Sequence, residues 1–183
     1  MNPKKEASKI TKGKFTDPRD GKVYKTVKIG DQTWLAENLN FDCKGSKCYD
    51  NDPKYAEKYG RLYNWKTAKK ACPSGWHLPS KKEWDELVNF AGGEDTAGKK
   101  LKAKSGWSEN GNGTNEYGFS ALPGGFGNSS GSFSIAGYYG NWWSSSEYCS
   151  SYAYYRVMDY SDEDAYWNDY GKSYLFSVRC VQD

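Results

Sequence analysis

The sequence lacks long hydrophobic runs and has only one histidine. No stretch approaches the roughly eighteen apolar residues of a membrane-spanning helix, and mean hydropathy is -0.96. A single histidine, His77, excludes metal sites built from several imidazoles. Its position just before an expected helix favours a structural role. No CxxC pair occurs either, which argues against a structural zinc site.

The start of the chain is polar and rich in lysine. Its sequence, MNPKKEASKITKGKF, has no apolar segment of the kind found in signal peptides. We therefore expect residues 1–16 to be a linker or a tail left by cloning, with any signal peptide or lipid anchor upstream. The remaining residues, 17–183, are enough for a single domain with a substantial core.

Aromatic residues are abundant, at 17% of the chain. Residues 141–174 contain eight of the sixteen tyrosines, three of the eight tryptophans, seven serines and four aspartates. So many hydroxyl and carboxylate groups cannot all be buried with hydrogen-bond partners, and much of this segment should face water. Exposed rings among short polar side chains are typical of a recognition surface. The composition therefore predicts a ligand-binding protein.

The charge of that segment limits its ligands. The whole chain has a formal net charge of +3, but residues 141–174 carry two basic and six acidic side chains, a net charge of -4. Nucleic acids are bound through lysine and arginine at the contact surface, so they are not expected partners. A polysaccharide or other glycan, or a protein, fits an acidic aromatic face better.

The pattern of elements predicts an α+β domain. A period-2 strand carrying Val23, Val27 and Ile29 is followed by a turn and a second strand with Trp34. A first helix is expected over residues 59–70, and a second begins at a capping box formed by Ser80 and Glu83 and ends at Gly92-Gly93. Short strands are then expected over residues 117–122, 140–145, 152–158 and 174–181.

Five cysteines indicate where the chain could be crosslinked. Cys43 and Cys48, in CKGSKC, could close a small ring, whereas Cys72 and Cys180 are candidates for a long-range disulfide. Cys149 would then be unpaired, or would form an intermolecular bridge. Five reduced thiols are the alternative.

Several motifs together resemble the Fibrobacter succinogenes major paralogous domain. They are CPSGWHLPSKKEW from Cys72, GFSALPGG from Gly118, WWSSSE from Trp142 and FSVRCV from Phe176, with DGKVYKTVKIGDQTWLAENLNF and YGRLYNWKTA upstream. The resemblance extends over residues 17–183. That family is similar to the C-type lectin-like fold, which also occurs in formylglycine-generating enzymes and in the variable proteins of diversity-generating retroelements.

The resemblance carries expectations of its own. It implies a C-type lectin-like fold, a disulfide between Cys72 and Cys180, and a ligand face formed by residues 141–174 that tolerates sequence change over a fixed scaffold. Family members typically belong to bacterial secreted or surface lipoproteins. The resemblance therefore implies an extracellular or cell-surface location.

Candidate ligand-binding residues share aromatic, amide or carboxylate side chains in that segment. They are Trp143, Tyr148, Tyr152, Tyr154, Asp159, Tyr160, Asp162, Asp164, Tyr166, Trp167, Asn168, Asp169 and Tyr170. Neighbouring strand residues point to opposite faces, so Trp142 is expected in the core, whereas Trp143 fits the core and the ligand face equally. By the same alternation, Tyr155 should be more buried than Tyr154.

Three features of the chain bear on metal binding and catalysis. Trp167-Asn168-Asp169 is similar to the WND motif of calcium-dependent lectins, but no EPN-like or QPD-like triplet accompanies it, and no metal or other cofactor is predicted. Formylglycine-generating enzymes use a pair of reactive cysteines with copper, and pairing of Cys180 with Cys72 would leave Cys149 alone. An acidic cluster at residues 159–164 favours a solvated loop over a glycosidase pair.

The sequence thus predicts a non-catalytic, extracellular ligand-binding module, with no catalytic residue assigned. An adhesive or structural module, whose variable face selects its partner during attachment, is one alternative. An oxidase like the formylglycine-generating enzymes is another.

Overall fold

The computed structural model describes residues 10–183, so residues 1–9 of the expected linker lie outside it. The described part combines four α-helices with small sheets, which confirms the α+β class. The helices are α1 Pro53–Tyr59, α2 Trp65–Ala71, α3 Lys81–Phe90 and α4 Glu94–Leu101. The strands are β1 Ile10–Thr16, β2 Val23–Ile29, β3 Gln32–Leu35, β4 Ser46–Lys47, β5 Leu62–Tyr63, β6 Trp76–His77, β7 Phe126–Gly127, β8 Phe133–Ser134, β9 Tyr139–Glu147, β10 Tyr152–Asp159, β11 Tyr166–Gly171 and β12 Val181–Gln182.

Two antiparallel sheets organise the chain. The larger has the strand order β1-β2-β3-β12-β6, so the last strand lies between elements from the first half of the chain. The smaller has the order β11-β10-β9, and two short ribbons pair β4 with β5 and β7 with β8. None of the helices in residues 10–183 is long and apolar enough to cross a membrane.

The domain begins earlier than the sequence suggested. Residues 10–16, expected to be part of the linker, instead form strand β1 and pair with β2 from Ile10 opposite Ile29 to Thr16 opposite Val23. Phe15 packs its ring 5.1 Å from that of Trp76 and ties this edge strand to the core. The lysines and glycine of ITKGKFT concealed the strand, because most of its side chains face water.

The helices confirm one prediction and correct another. Ser80 is the N-cap of helix α3 and forms the expected capping box with Glu83. The single helix predicted over residues 59–70 is wrong, because Gly60 has a φ of 75° and separates α1 from β5 and α2. A Cβ at this glycine would approach the Leu39 carbonyl oxygen at 2.8 Å, so the chain turns where only glycine fits. Helix α4 was not predicted.

The strand predictions were confirmed only in part. Strands β2, β3, β9 and β10 lie where the patterns placed them. Residues 117–122 contain only an isolated bridge at Ala121, and residues 174–181 form bridges at Leu175, Phe176 and Ser177 before the short strand β12. Their glycine, proline and serine neighbours permit these irregular paths.

Adjacent tryptophans in β9 enter two separate parts of the core. Trp142 packs in a cluster with Trp34 and Trp84, and Trp143 packs in the other with Tyr63. Both indoles are fully buried. The prediction that Trp142 is core is confirmed, and Trp143 belongs to the core as well. Both faces of β9 are covered, so strand alternation buries each residue.

The cysteines form one disulfide among the described residues. Cys72, after α2, is bonded to Cys180, just before β12, at a sequence separation of 108. The predicted ring between Cys43 and Cys48 is wrong, since both thiols are free. They have different neighbours: Cys48 accepts a hydrogen bond from Arg61 at 3.2 Å, whereas Cys43 packs against the cluster that contains Tyr63.

Candidate ligand-binding cleft

A cleft of about 250 Å³ lies on one face of the β9–β11 sheet, and we call it the aromatic cleft. Register places Tyr155 opposite Asn168 and Val157 opposite Tyr166, so these four side chains share a face. The complete lining is Phe126, Ile135, Tyr139, Asn141, Tyr155, Val157, Tyr166, Asn168, Tyr170, Tyr174 and Phe176.

Strand alternation decides which residues of β11 reach the cleft. Tyr166, Asn168 and Tyr170 point into it, whereas Trp167 and Asp169 point to the opposite face. The sequence YWNDYG thus divides its polar and aromatic groups between two environments.

The rings of the cleft support one another. Phe176 lies 4.4 Å from Tyr155 and Tyr174 lies 4.4 Å from Tyr170, measured between ring centroids. Phe126 contacts the ring of Tyr174 from the far wall at 6.0 Å. Rings packed in this way lose little conformational freedom when a ligand binds. The cleft is therefore largely formed before any ligand arrives.

Three phenols of the cleft, those of Tyr155, Tyr166 and Tyr174, are neutral hydrogen-bonding groups. Burial, helped by the negative charge of Asp159, raises the pKa of Tyr166 to about 12. Burial raises the pKa of Tyr155 further above its ordinary value, and a hydrogen bond with Tyr170 raises the pKa of Tyr174. Each of these three phenols therefore keeps its proton at neutral pH, and those of Tyr155 and Tyr166 are available both to donate and to accept.

Two amides add directional polarity to the lining. Asn141 donates from Nδ2 to the carbonyl oxygen of Gly125 at 3.2 Å, which fixes its orientation. Asn168 accepts from the backbone N–H of Asp169 through Oδ1 at 2.9 Å. Its Nδ2 group has no hydrogen-bond partner among residues 10–183 and is free to donate. The described lining contains no carboxylate, thiol, imidazole, lysine or arginine.

Sequence reasoning found only part of this site. Three of the predicted residues, Tyr166, Asn168 and Tyr170, lie in the cleft together. It missed Tyr139, Asn141, Tyr155 and Tyr174 within or beside the aromatic segment, and Phe126, Ile135, Val157 and Phe176. The alternation of β10 offered one usable signal, because Tyr155 and Val157 share a face with Tyr166. Phe126 and Ile135, far from β11 in sequence, gave no signal.

The opposite face of the sheet holds other predicted residues in a structural cluster. Trp167 donates its indole N–H to Asp85 Oδ1 at 2.6 Å, and the guanidinium of Arg156 lies 3.8 Å from its ring centroid. Tyr154 packs edge-on between Trp167 and Tyr148, at 6.0 and 5.5 Å. Trp167 thus attaches β11 to helix α3.

The remaining predicted tyrosines lie outside the cleft lining. Tyr148 and Tyr152 flank the turn between β9 and β10, where both are exposed. Tyr160 follows β10 and packs edge-on against Tyr138 at 5.2 Å. As expected, Tyr155 is buried while Tyr154 is only partly so.

The predicted aspartates mainly stabilise the loop after β10. Asp159 is buried and accepts from the backbone N–H and hydroxyl of Ser161, both at 2.7 Å. Asp162 accepts from the backbone N–H of Asp164 at 3.1 Å. The ammonium group of Lys102 donates to the carbonyl oxygens of Asp159 and Asp162 at 2.7 and 2.8 Å. These carboxylates therefore fold the chain that leads into β11.

The WND-like triplet does not arrange its oxygens for a cation. Asn168 points into the cleft and Asp169 to the other face, so their side chains cannot chelate one ion. No group of three or more His, Cys, Asp or Glu residues in the part of the chain that the structure describes is placed to hold a metal.

His77 joins three parts of the chain. Its ring nitrogens lie 2.6 Å from Asp183 Oδ1 and 2.7 Å from Glu83 Oε1. Partial burial by itself lowers the pKa of His77, but these hydrogen bonds outweigh it and raise the pKa above 6.5. The arrangement fits the structural role expected for this residue.

Comparisons with known proteins give one match. A family model described as the Fibrobacter succinogenes major domain matches residues 27–182. No curated protein and no solved structure matched the chain.

Proposed function

The chain belongs to the Fibrobacter succinogenes major domain family, and we propose that it is a non-catalytic module that binds its ligand through the aromatic cleft. The observation that carries this proposal is the chemistry of the lining: packed rings with phenol and amide groups, and no carboxylate, thiol, imidazole, lysine or arginine in the described lining. Such a surface offers contact area and hydrogen bonds rather than a nucleophile or a general base.

The size of the cleft limits what enters it. Its volume of about 250 Å³ is slightly below the roughly 300 to 1,000 Å³ of sites that enclose a whole small molecule. One ring or one side chain of a larger ligand fits this space. A sugar ring of a polysaccharide would stack on the tyrosines and form a hydrogen bond with Asn168. An apolar side chain of a protein would pack on the same rings.

An extracellular or cell-surface location is part of the proposal. The disulfide between Cys72 and Cys180 supports it, because such bonds persist in oxidising compartments. We further propose that the fold is of the C-type lectin-like class, supported by the link from the end of α2 to the last strand.

The arrangement of the cysteines favours binding over oxidation. A copper-dependent oxidase of the formylglycine-generating kind would need Cys149 and Cys180 as a reactive pair. Cys180 is bonded to Cys72, and Cys149 is exposed in the turn between β9 and β10. This separation supports a binding module.

A matched pair of tyrosine variants tests the proposal. The oxidised domain would be screened against soluble glycans, insoluble polysaccharides and a library of linear peptides. For any ligand found, Tyr170→Ala should weaken binding at least tenfold, since the ring lines the cleft. The control is Tyr148→Ala, which removes an exposed ring of the same chemistry outside the lining. Equal affinity of both variants and the parent protein would place the binding site elsewhere.

A further inference from the structure

Strand β11 is an edge of the β9–β11 sheet, next to the aromatic cleft. The backbone N–H of Trp167 donates to Glu94 Oε1 at 3.2 Å, and that of Asp169 donates to Asn168 Oδ1 at 2.9 Å. Both acceptors are side chains. Backbone N–H groups alternate in direction along a strand. Because the acceptors of these two N–H groups lie outside β10, both groups point away from that strand.

The middle of this edge is open to another chain, before the Gly171 carbonyl oxygen, which accepts from the Tyr174 N–H at 3.0 Å. The Ala165 N–H bonds to the Glu94 carbonyl oxygen at 2.8 Å, so the start of α4 covers the region just before β11. From Trp167 to Tyr170, no backbone group elsewhere in residues 10–183 hydrogen-bonds to the outer edge. Unpaired edges are templates for strand addition and are usually covered or interrupted.

We propose that the ligand of the aromatic cleft is an extended peptide segment of a partner protein, which pairs with the outer edge of β11. This inference rests on the proposed function and names its ligand class. The peptide backbone would replace Asn168 Oδ1 as the acceptor for the Asp169 N–H. Recognition by strand addition obtains affinity from main-chain hydrogen bonds and specificity from alternate side chains.

The position of the cleft determines which side chains the peptide carries at the alternate positions that face the cleft. Asn168 and Tyr170 project into the cleft from β11 itself. A strand added about 4.8 Å away places alternate side chains beside them on that face. The volume of about 250 Å³ accepts one such side chain, and the rings of the lining favour an apolar or aromatic one.

Charge determines which side chains the peptide carries at the intervening positions, on the opposite face. Asp169 projects to the opposite face and forms no ion pair with any residue from 10 to 183. Glu94, beside the edge, has a side chain that is half exposed and lies 4.0 Å from the guanidinium of Arg156, so Asp169 is the carboxylate at this edge without an ion pair among residues 10–183. Within residues 141–174 the two basic side chains are already engaged: Arg156 with Asp85 and Lys172 with Glu147. Lysine or arginine is therefore expected at the intervening peptide positions, where opposite charges pair across strands.

Selection from a random library of linear twelve-residue peptides, displayed on phage, tests the inference with the intact oxidised protein. Selected peptides should alternate apolar or aromatic residues with basic ones. N-methylation of successive amides in one such peptide should weaken binding at least tenfold at every second position and have little effect between. On the protein, Asp169→Pro should weaken binding at least tenfold, because it removes an outward N–H that β10 does not use.

Two further variants separate the contributions. Asp169→Asn retains the backbone N–H and should weaken peptide binding less than Asp169→Pro. Its loss of affinity should diminish as the salt concentration rises, because salt screens the charge of Asp169 in the parent protein. Tyr170→Ala should weaken the same peptides through the cleft. If the circular dichroism spectrum showed that Asp169→Pro does not fold, the N-methylation series on the unaltered protein would still test whether the peptide pairs through its backbone.

Other outcomes overturn the inference in distinguishable ways. Peptides that require Tyr170 but tolerate both Asp169→Pro and every N-methylation would retain the cleft and refute strand pairing. A glycan that requires Tyr170, with no peptide selected, would likewise retain only the proposed function. A dimer in sedimentation that Asp169→Pro dissociates would make a second copy of this chain the occupant. Binders insensitive to Tyr170 and Asp169 alike would refute both proposals.

Discussion

The indole N–H of Trp167 donates a hydrogen bond of 2.6 Å to the carboxylate of Asp85. The same oxygen of Asp85 accepts from the guanidinium of Arg156 at 2.5 Å, and that side chain is 1% exposed. Arg156 comes from β10, Trp167 from β11 and Asp85 from α3. One carboxylate therefore fixes two strands of the smaller sheet against a helix, on the face opposite the aromatic cleft.

We predict that Asp85→Ala lowers the free energy of unfolding by about 2 to 3 kcal/mol, because it leaves a buried guanidinium without its charged acceptor. Denaturation in urea, followed by tryptophan fluorescence, measures the change. Glu116→Ala is the control, since this exposed glutamate should alter the free energy of unfolding by no more than about 0.5 kcal/mol. Equal stability of the two variants would mean that solvent replaces Asp85 without cost.

A second prediction concerns the disulfide. It joins Cys72 to Cys180 at a sequence separation of 108, and the chain-entropy model assigns a loop of about that length roughly 4 to 5 kcal/mol of stabilisation. Since small domains are stable by about 5 to 15 kcal/mol, the double variant Cys72→Ala/Cys180→Ala should unfold at a much lower urea concentration. The control, Cys43→Ser, should stay closer to the parent protein. A loss below about 1 kcal/mol would contradict the entropic account.

Local signals in the sequence were sufficient for several elements. The capping box of Ser80 and Glu83 located the start of α3, because its hydrogen bonds are made within one turn. The disulfide followed from family resemblance. By contrast, the break at Gly60 depends on the approach of Leu39 from a distant part of the chain, and no local pattern reports it.

The candidate site was only half predictable for a related reason. Composition identified β11 as a recognition segment, but it could not tell Tyr166 and Tyr170 from Trp167. That distinction depends on which face of β11 helix α3 covers. Asp85 of α3 accepts a hydrogen bond from Trp167, so the face that carries Trp167 is the covered one. The far wall at Phe126 depends on tertiary packing alone.

The three free thiols should differ in reactivity, and this is the third prediction. Cys149 is exposed, Cys43 is half-buried and Cys48 is buried. Burial also raises the pKa of the Cys43 thiol, which lowers the fraction of reactive thiolate. Titration with a chromogenic disulfide should therefore show one fast thiol, which Cys149→Ser removes. A fast phase that survives this substitution would contradict the order of exposure.

The fourth prediction uses the single histidine. Hydrogen bonds with Asp183 and Glu83 raise the pKa of His77 above 6.5 despite the opposing effect of burial. A raised folded-state pKa means that protonation stabilises the fold fully below about pH 6.5, the unfolded value, and that this contribution disappears as the pH rises through the folded pKa. In proton NMR, one imidazole resonance should titrate with a midpoint above 6.5.

Two variants separate the causes of that shift. Asp183→Asn should lower the midpoint, because it removes the negative charge of one hydrogen-bonded partner. His77→Gln should remove the difference in unfolding free energy between acidic and alkaline solution that this residue contributes. If the midpoint were at or below 6.5 in the parent protein, burial would outweigh the two carboxylates. The link from β6 to α3 and the end of the chain would then depend on a neutral imidazole, which can donate to only one of its two partners.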